Sequence, residues 1–344
     1  MILVTGGTGY IGAHIAVELL ALNHEVLLLD NLSNSSPDVL ARIARLSGQA
    51  PRFIRADVRH RPVLDNLLRR HRITAVIHCA GLKAVAESVR EPLRYFDTNV
   101  SGSLTLFQAM ADAGVFKLVF SSSATVYGQC EHMPIAESCP TGLPASPYGQ
   151  SKLMAEQVIT SMAAADPRWS VALLRYFNPI GAHASGLLGE RPSHTPNNLL
   201  PYLLQVASGE RAVLRIFGHD YPTPDGTGVR DYVHVADLAA GHCHALRYLQ
   251  AHDGVHLWNM GTGHGHSVLE VVAAFEQVTG VRIARVFEAR RQGDIARCWA
   301  DPSKAARQLQ WRARHGLERM LADAWRWQCN GLADQDRSRQ ALAE

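Results

Sequence analysis

The sequence predicts an α/β protein, a doubly wound parallel sheet joined to a smaller mixed α/β lobe. Three observations predict it. Short apolar runs alternate with longer stretches of helical period through the first half; a glycine-rich turn follows the first run; and after residue 177 Pro, Gly and His become frequent through 178–231. The runs at 1–5, 25–30, 52–56, 74–79, 116–122 and 170–175 read as strands, with helices at 11–22, 61–71, 94–113 and 148–165 between them. In such a sheet ligands bind beyond the carboxyl ends of the strands, so the irregular 178–231 region reads as a lobe laid over those ends. A strand near 255–260 returns to the sheet, and an amphipathic segment near 303–328 follows.

Composition excludes several classes. A chain of 344 residues with 47% apolar content has length for about two domains and is neither disordered nor a disulfide-stapled miniprotein. The formal charge is only +3 and no Lys/Arg cluster forms a footprint, so no nucleic-acid partner is expected. No apolar run reaches the length of a membrane span and the start, Met1-Ile2-Leu3-Val4, has no basic leader; no membrane partner and a cytoplasmic location are expected. Cys79, Cys130, Cys139, Cys243, Cys298 and Cys329 form no C-x-x-C pair and read as free thiols. His242 and His244 flank Cys243 on a helical stretch, but residues two apart on a helix diverge, and no metal site is expected. Only four cations are lysine (Lys83, Lys117, Lys152, Lys304), against thirty arginines, which makes each lysine position informative.

The first strand runs into Thr5-Gly6-Gly7-Thr8-Gly9-Tyr10-Ile11-Gly12, a G-x-x-G-x-x-G turn that opens a helix. Glycines there permit positive φ, bring backbone N–H groups close to a pyrophosphate and let the helix pack on the strand, while the helix N-terminus favours the anion. Asp30 ends the second strand, placed to accept from the adenosine ribose hydroxyls and to repel a 2′-phosphate, so NAD is favoured over NADP. Together these make the sheet Rossmann-type. Asp57-Val58 ends the third strand and either reaches the adenine or forms a plain turn.

Tyr148-Gly149-Gln150-Ser151-Lys152 is Y-x-x-x-K at the start of a helix, with both side chains on one face. A cation beside the phenol predicts a pKa lowered from about 10 toward neutrality, suited to a general base. Upstream, Phe120-Ser121-Ser122-Ser123 ends a buried strand, and the hydroxyl of Ser123 is the best placed to bond the same substrate oxygen. Asn99 and the run Ala80-Gly81-Leu82-Lys83 supply polar groups at other strand ends.

With TGGTGYIG, Y-x-x-x-K, ALLRYFNPIGAH at 172–183, PNNLLPY at 196–202, DGTGVRDYVHV at 225–235 and RRQGD at 290–294, the chain resembles the extended short-chain dehydrogenase/reductases over nearly its whole length. It is most similar to the branch that interconverts UDP-galactose and UDP-glucose. The resemblance implies a tightly held NAD and catalysis by Tyr148, Lys152 and Ser123. It implies cofactor contacts from Gly6, Gly9, Tyr10, Ile11, Gly12, Asp30, Asn31, Ser33, Asn34, Ser35, Asp57, Val58, Cys79, Ala80, Gly81, Lys83, Asn99, Ser121 and Phe177, besides Tyr148 and Lys152. For the UDP-sugar it implies Asn178, Asn198, Leu199, Phe217, Arg230, Arg291, Asp294 and Cys298, with Lys83, Ser123 and Tyr148. Arg presents a fork to phosphate oxygens and Phe a flat face to a base. The expected division is an NAD-binding domain over 1–177 with a returning segment near 232–260, a UDP-sugar lobe over 178–231 and 261–330, and a polar tail over 331–344. Members commonly pair as homodimers through the helices near 94–113 and 148–165.

Departures from the family pattern carry information. Cys298 stands where members restricted to glucose and galactose usually carry tyrosine and members accepting N-acetylated sugars carry a smaller residue, so interconversion of the N-acetylated pair is also expected. Cys79 replaces a common aromatic, and Thr98 a common asparagine, leaving those side-chain contacts open. Two other readings share the scaffold. A nucleotide-sugar 4,6-dehydratase needs an Asp-Glu pair directly after the serine, where this chain has Ala124 and Thr125. A non-catalytic NAD-dependent sensor usually loses the tyrosine or lysine, and this chain keeps both.

Overall fold

A computed structural model describes residues 1–341 other than 131, 143, 193–195, 197, 292 and 293, with side chains described through residue 333. Seven strands form the main sheet: β1 (Ile2–Thr5), β2 (Val26–Asp30), β3 (Arg52–Arg55), β4 (Ala75–His78), β5 (Lys117–Ser123), β6 (Ser170–Tyr176) and, later in the chain, Gly254–Met260. Every neighbouring pair is parallel, in the order Gly254–Met260, β6, β5, β4, β1, β2, β3. The central strands are buried on both faces, which is why they read as continuous apolar runs without alternation. Strand order reverses between β1 and β4, and the crevice at their carboxyl ends is where such sheets take ligands.

Helices cover both faces. On one side α1 (Tyr10–Ala21) and α2 (Asp38–Ser47) pack with Leu238 and Leu246 from a helix near 240. On the other, α3 (Arg61–Arg70) shares a core with Leu106, Phe107, Met110, Ala155 and Ile159. The helix expected over 94–113 is broken: α4 (Val85–Arg90) and α5 (Pro92–Phe96) precede a wide π turn at Asp97–Ser101, and α6 (Gly102–Asp112) follows. The turn carries Asn99 inward, where its amide bonds the backbone of Leu82 from both sides, and such π turns recur at functional positions. Pro147 opens α7 (Pro147–Ala165) and Ser146 caps it by accepting from Gly149 N at 3.2 Å, a start signal that fixes Tyr148 in the first turn.

The 178–231 region contains regular elements too short, or too uniformly apolar, to show a period: β7 (Asn178–Ile180), α8 (Leu199–Ala207), β8 (Leu214–Phe217) and β9 (Val229–His234). Then come α9 (Val235–Tyr248), β10 (Gly254–Met260, the seventh sheet strand), β11 (Gly265–Ser267), α10 (Val268–Thr279), β12 (Arg285–Glu288) and β13 (Arg297–Cys298). The segment near 303–328 is two helices, α11 (Ser303–Gln308) and α12 (Leu317–Ala341), separated where Gln310 adopts positive φ. Helix α12 continues through most of the expected polar tail; residues 342–344 lie outside the described residues. Leu200, Leu203, Leu214, Ile216, Val272, Phe275 and Leu321 form a separate core for this part of the chain. Among the described residues, no helix is long and apolar enough to cross a membrane.

Four histidines are buried in neutral form. Burial lowers His14 and His78 to about 3 and His234 and His242 to about 4. Unfolded, each binds a proton near pH 6.5. Between these limits the unfolded chain holds more protons than the folded one, so stability falls as pH drops below about 6.5. Thermal melts are expected to show Tm declining already between pH 6.5 and 5, above the carboxylate range; a flat Tm down to pH 4.5 contradicts it.

Candidate functional site

The loop after β1 is a cradle that only glycine fits. Gly6 has φ +66°, and a Cβ there would lie 2.7 Å from Ala80 N, which closes the loop against the end of β4. A Cβ on Gly12 would fall 2.1 Å from Gly6 O. At Gly9 a Cβ meets only Gly6 O, at 3.2 Å, so bare backbone faces the cleft. Helix α1 begins here with no side chain capping it, leaving its first N–H groups and the positive dipole end for an anion. The side chain of Ile11 packs toward the core, so only its backbone is offered to the cleft.

Asp30 ends β2 and accepts from Thr8 N (3.1 Å), Leu32 N (2.8 Å) and Ser35 Oγ (3.3 Å), which fixes its carboxylate beside the glycine loop. Asn31 Nδ2 donates to Asp57 Oδ2 at 2.9 Å and ties the ends of β2 and β3 together, while Ser33 and Asn34 stand exposed on the rim. Asp57 is also clasped by Arg59, which holds its carboxyl well below the usual carboxylate range; the side chain is the anchor of a turn. Val58 is buried in the core and offers only backbone. This set fits a dinucleotide with a free 2′-hydroxyl: a glycine cradle and uncapped helix for the diphosphate, and an acid where a 2′-phosphate would be repelled.

Across the crevice, Lys83 pairs with Glu190 and its ammonium lies 5.8 Å from the Tyr10 ring centre, over the start of α1. Tyr10 donates to Gly181 O (2.7 Å), Arg42 to Leu187 O (3.2 Å), and Trp327 of α12 to Glu190 O (3.0 Å). Residues 181–190 therefore strap the second part of the chain to the cradle. Glu190, Arg42 and Trp327 carried no local sequence signal.

Tyr148 and Lys152 project from the first turns of α7 toward the end of β5. Lys152 is 7% exposed; its Nζ donates to Ser121 O at 2.8 Å, and burial lowers the ammonium to about 8. The phenol of Tyr148 departs from expectation. Burial raises its pKa, a Ser123 hydrogen bond pulls it back only in part, and the Lys152 ammonium is engaged at Ser121 O. Spacing alone predicted the opposite direction because it does not reveal burial. Ser123 Oγ accepts from Thr125 N and Thr125 Oγ1 (3.2 and 3.0 Å), so its own proton is left for an oxygen beside Tyr148.

The surrounding groups fix this arrangement. Asn99 Nδ2 donates to Ser151 Oγ at 2.9 Å, and a Cβ on Gly81 would sit 3.1 Å from Asn99 Oδ1. Ser121 Oγ accepts from Tyr176 OH (2.6 Å) and donates to Cys79 Sγ (3.1 Å); burial pushes that thiol up to about 11. Tyr176 also pairs with His242, whose Nδ1 bonds Leu238 O, whereas His244 bonds Leu309 O. Arg175 and Glu156 form a buried two-pronged pair (3.0 and 2.6 Å) that also takes Ser122 Oγ and locks α7 onto β5 and β6.

A second wall comes from residues beyond 177. Arg291 lies 4.7 Å over the Phe217 ring and donates to Asp294 at 3.1 Å. Asp294, Arg230, Arg290 and Arg291 all act on the Tyr221 phenol, which gathers them into one constellation; Tyr221 and Arg290 are additions to the sequence reading. Asn178 begins β7, in register with Tyr232 on β9, the strand of Arg230. Asn198 occupies the cap position of α8 and Leu199 its first turn, entering from a different element. Cys298 pairs in register with Arg230 and is buried with Ala124, the residue after β5, and with Tyr127 and Phe177.

Comparison with known proteins agrees with this geometry. The chain is 55% identical over 327 residues to the UDP-glucose 4-epimerase of Yersinia pestis, covering 95% of this chain and 97% of that protein. Among solved structures, the UDP-glucose 4-epimerase of Stenotrophomonas maltophila with bound NAD and formylated UDP-arabinopyranose superposes with a TM-score of 0.94 at 52% identity, covering 97% and 99% of the two chains. The enzyme of Bifidobacterium longum in complex with NAD+ and UDP gives a TM-score of 0.94 at 47% identity, covering 96% and 98%. Residues 2–261 match the profile of one family, and the chain belongs to it: the NAD dependent epimerase/dehydratase family.

Proposed function

We propose that the chain interconverts UDP-galactose and UDP-glucose by inverting carbon 4 of the sugar through a transient 4-keto intermediate. The observation that carries this reading is that Tyr148 bonds Ser123 and Lys152 bonds Ser121 O at the end of β5, beside Gly81, while Arg230 lies in register with Cys298, which packs with Ala124 just after Ser123. Gly6, Gly9 and the first turn at Tyr10, Ile11 and Gly12 hold the cofactor diphosphate, with Lys83 above it. Asp30 takes the ribose; Asn31, Ser33, Asn34, Ser35, Asp57 and Val58 line the adenosine end. Cys79, Ala80, Gly81, Asn99, Ser121 and Phe177 surround the nicotinamide half. NAD, when bound there, would supply the hydride acceptor and donor for carbon 4, so no external reductant would be consumed.

Tyr148 removes the proton from the 4-hydroxyl, and Ser123 donates to the same oxygen. Lys152 holds the cofactor ribose. Arg230 and Arg291 grip the diphosphate, Phe217 faces the base, and Asn178, Asn198, Leu199 and Asp294 complete the nucleotide site. With the diphosphate anchored, the sugar turns about its linkage and presents its other face, and Tyr148 returns the proton. Conversion of UDP-galactose to UDP-glucose without added reductant tests the reading.

Cys298 leaves room for a 2-acetamido group, and we extend the substrate range to the N-acetylated pair. In Cys298→Tyr, turnover of UDP-N-acetylgalactosamine is expected to fall at least about tenfold while that of UDP-galactose persists. Wild-type protein that converts UDP-galactose but makes no product from the N-acetylated substrate contradicts the extension. We also propose a homodimer through α4–α7, whose outer face exposes Val89, Leu93, Leu104 and Met154, with Leu93 81% exposed. Light scattering is expected to give twice the chain mass of 37.7 kDa; a monomer at micromolar concentration contradicts it. We further propose a cytoplasmic location, which cell fractionation tests.

A further inference from the structure

Two of the free thiols meet. Sγ of Cys130 and Sγ of Cys139 stand 2.7 Å apart, nine residues apart on the segment that follows the 3₁₀ turn Ala124–Tyr127. This segment is fastened to its surroundings. Ile135 N donates to Trp299 O (2.9 Å), Asn259 donates from its side chain to Ile135 O (2.8 Å) and from its backbone to Glu137 Oε1 (2.8 Å), and Gly142 N donates to Tyr127 O (3.2 Å). Anchors inside and beyond the 130–139 loop therefore hold the two sulfurs together, within a small movement of the bonded separation of about 2.05 Å. Both thiols are half-buried, and Cys130 lines a cavity of about 550 Å³ with Gln129, Met133 and Ile295, a route by which a small molecule reaches it. Both pack against the cluster that contains Phe177 and Cys298.

We propose that Cys130 and Cys139 are a redox-modification site that a low-molecular-weight disulfide converts into a reversible intrachain disulfide, pinning the segment beneath the substrate wall. The Cys130 thiolate attacks one sulfur of the oxidant and expels its other half as a thiolate. The Cys139 thiolate then attacks Cys130 Sγ and expels the second half. Two protein thiols lose two electrons and two protons, and the oxidant leaves as two thiols. Burial pushes the Cys139 thiol up, and only its thiolate attacks, so the second step accelerates as pH rises. The remaining thiols are placed differently: Cys243 and Cys298 are pushed up to about 12 by burial, and Cys329 is exposed on α12.

The site stands on thiol geometry and is independent of the proposed activity. Cofactor-loaded full-length protein is treated with oxidised glutathione under native conditions, alkylated and peptide-mapped. The expected product links Cys130 to Cys139, loses two alkylatable thiols, reverts with dithiothreitol and melts several degrees higher. Cys139→Ser is expected to stop at a glutathione adduct on Cys130, with no rise in Tm. Cys130 and Cys139 both remaining alkylatable, a link from Cys130 to Cys298 instead, or an unchanged Tm in the linked protein overturns the proposal.

Discussion

Tyr148→Phe is expected to lower kcat for UDP-galactose conversion by about 10²–10⁴-fold while leaving NAD retention and UDP affinity near normal. The substitution deletes one oxygen and keeps the ring that fills the first turn of α7, so the Ser146 cap and the Glu156–Arg175 lock are undisturbed. What is lost is the group that, in the proposed mechanism, takes the proton from the sugar hydroxyl. Ser123 is committed as an acceptor to Thr125, and Lys152 is held at Ser121 O. Steady-state kinetics with UDP titration separates chemistry from binding. A variant within about tenfold of wild-type kcat would mean another residue moves the proton.

Lys152→Arg is the second large effect. Turnover is expected to fall by about 10²-fold or more, although the charge is preserved. The ammonium sits in a closed site, 7% exposed, 2.8 Å from Ser121 O and 5.1 Å from the Phe120 ring. A planar guanidinium is larger and cannot occupy that place without displacing the strand ends. Burial lowers the lysine to about 8, so its charge is lost as pH rises through that value, and the wild-type rate is expected to decline on the alkaline side. The arginine variant stays charged there. If charge alone mattered it would match wild type at neutrality and hold its activity at higher pH; near-normal turnover would refute the positional role.

All seven strands of the main sheet were legible within a residue or two: β1, β2, β4, β5 and β6 as buried, largely apolar runs, and the partly exposed β3 and β10 as short runs bounded by turn residues. Helices α2 and α9 were less visible. The first follows a Ser/Asn/Pro stretch that reads as loop, and the second, VADLAAGHCHALRY, mixes small residues and histidines that hide its buried face. The break at Asp97–Ser101 was invisible because its cause, the bond from Asn99 to Leu82, spans 17 residues.

The site divides in the same way. The glycine turn, Asp30 and Y-x-x-x-K declare themselves through local spacing. Glu190, Tyr221, Arg290 and the Tyr176–His242 pair matter only through partners distant in sequence. The direction of the Tyr148 shift was misread for a related reason, since spacing reports neighbours on a helix and is silent about burial. Of the four lysines, Lys83 lies over the start of α1 and Lys152 at the end of β5.

The most direct test of the central claim is to mix the NAD-loaded protein with UDP-galactose, add no reductant, and analyse the nucleotide sugars. The account predicts UDP-glucose, formed without net change in the redox state of the bound nicotinamide. Unchanged UDP-galactose, or a 4-keto-6-deoxy product, would contradict it.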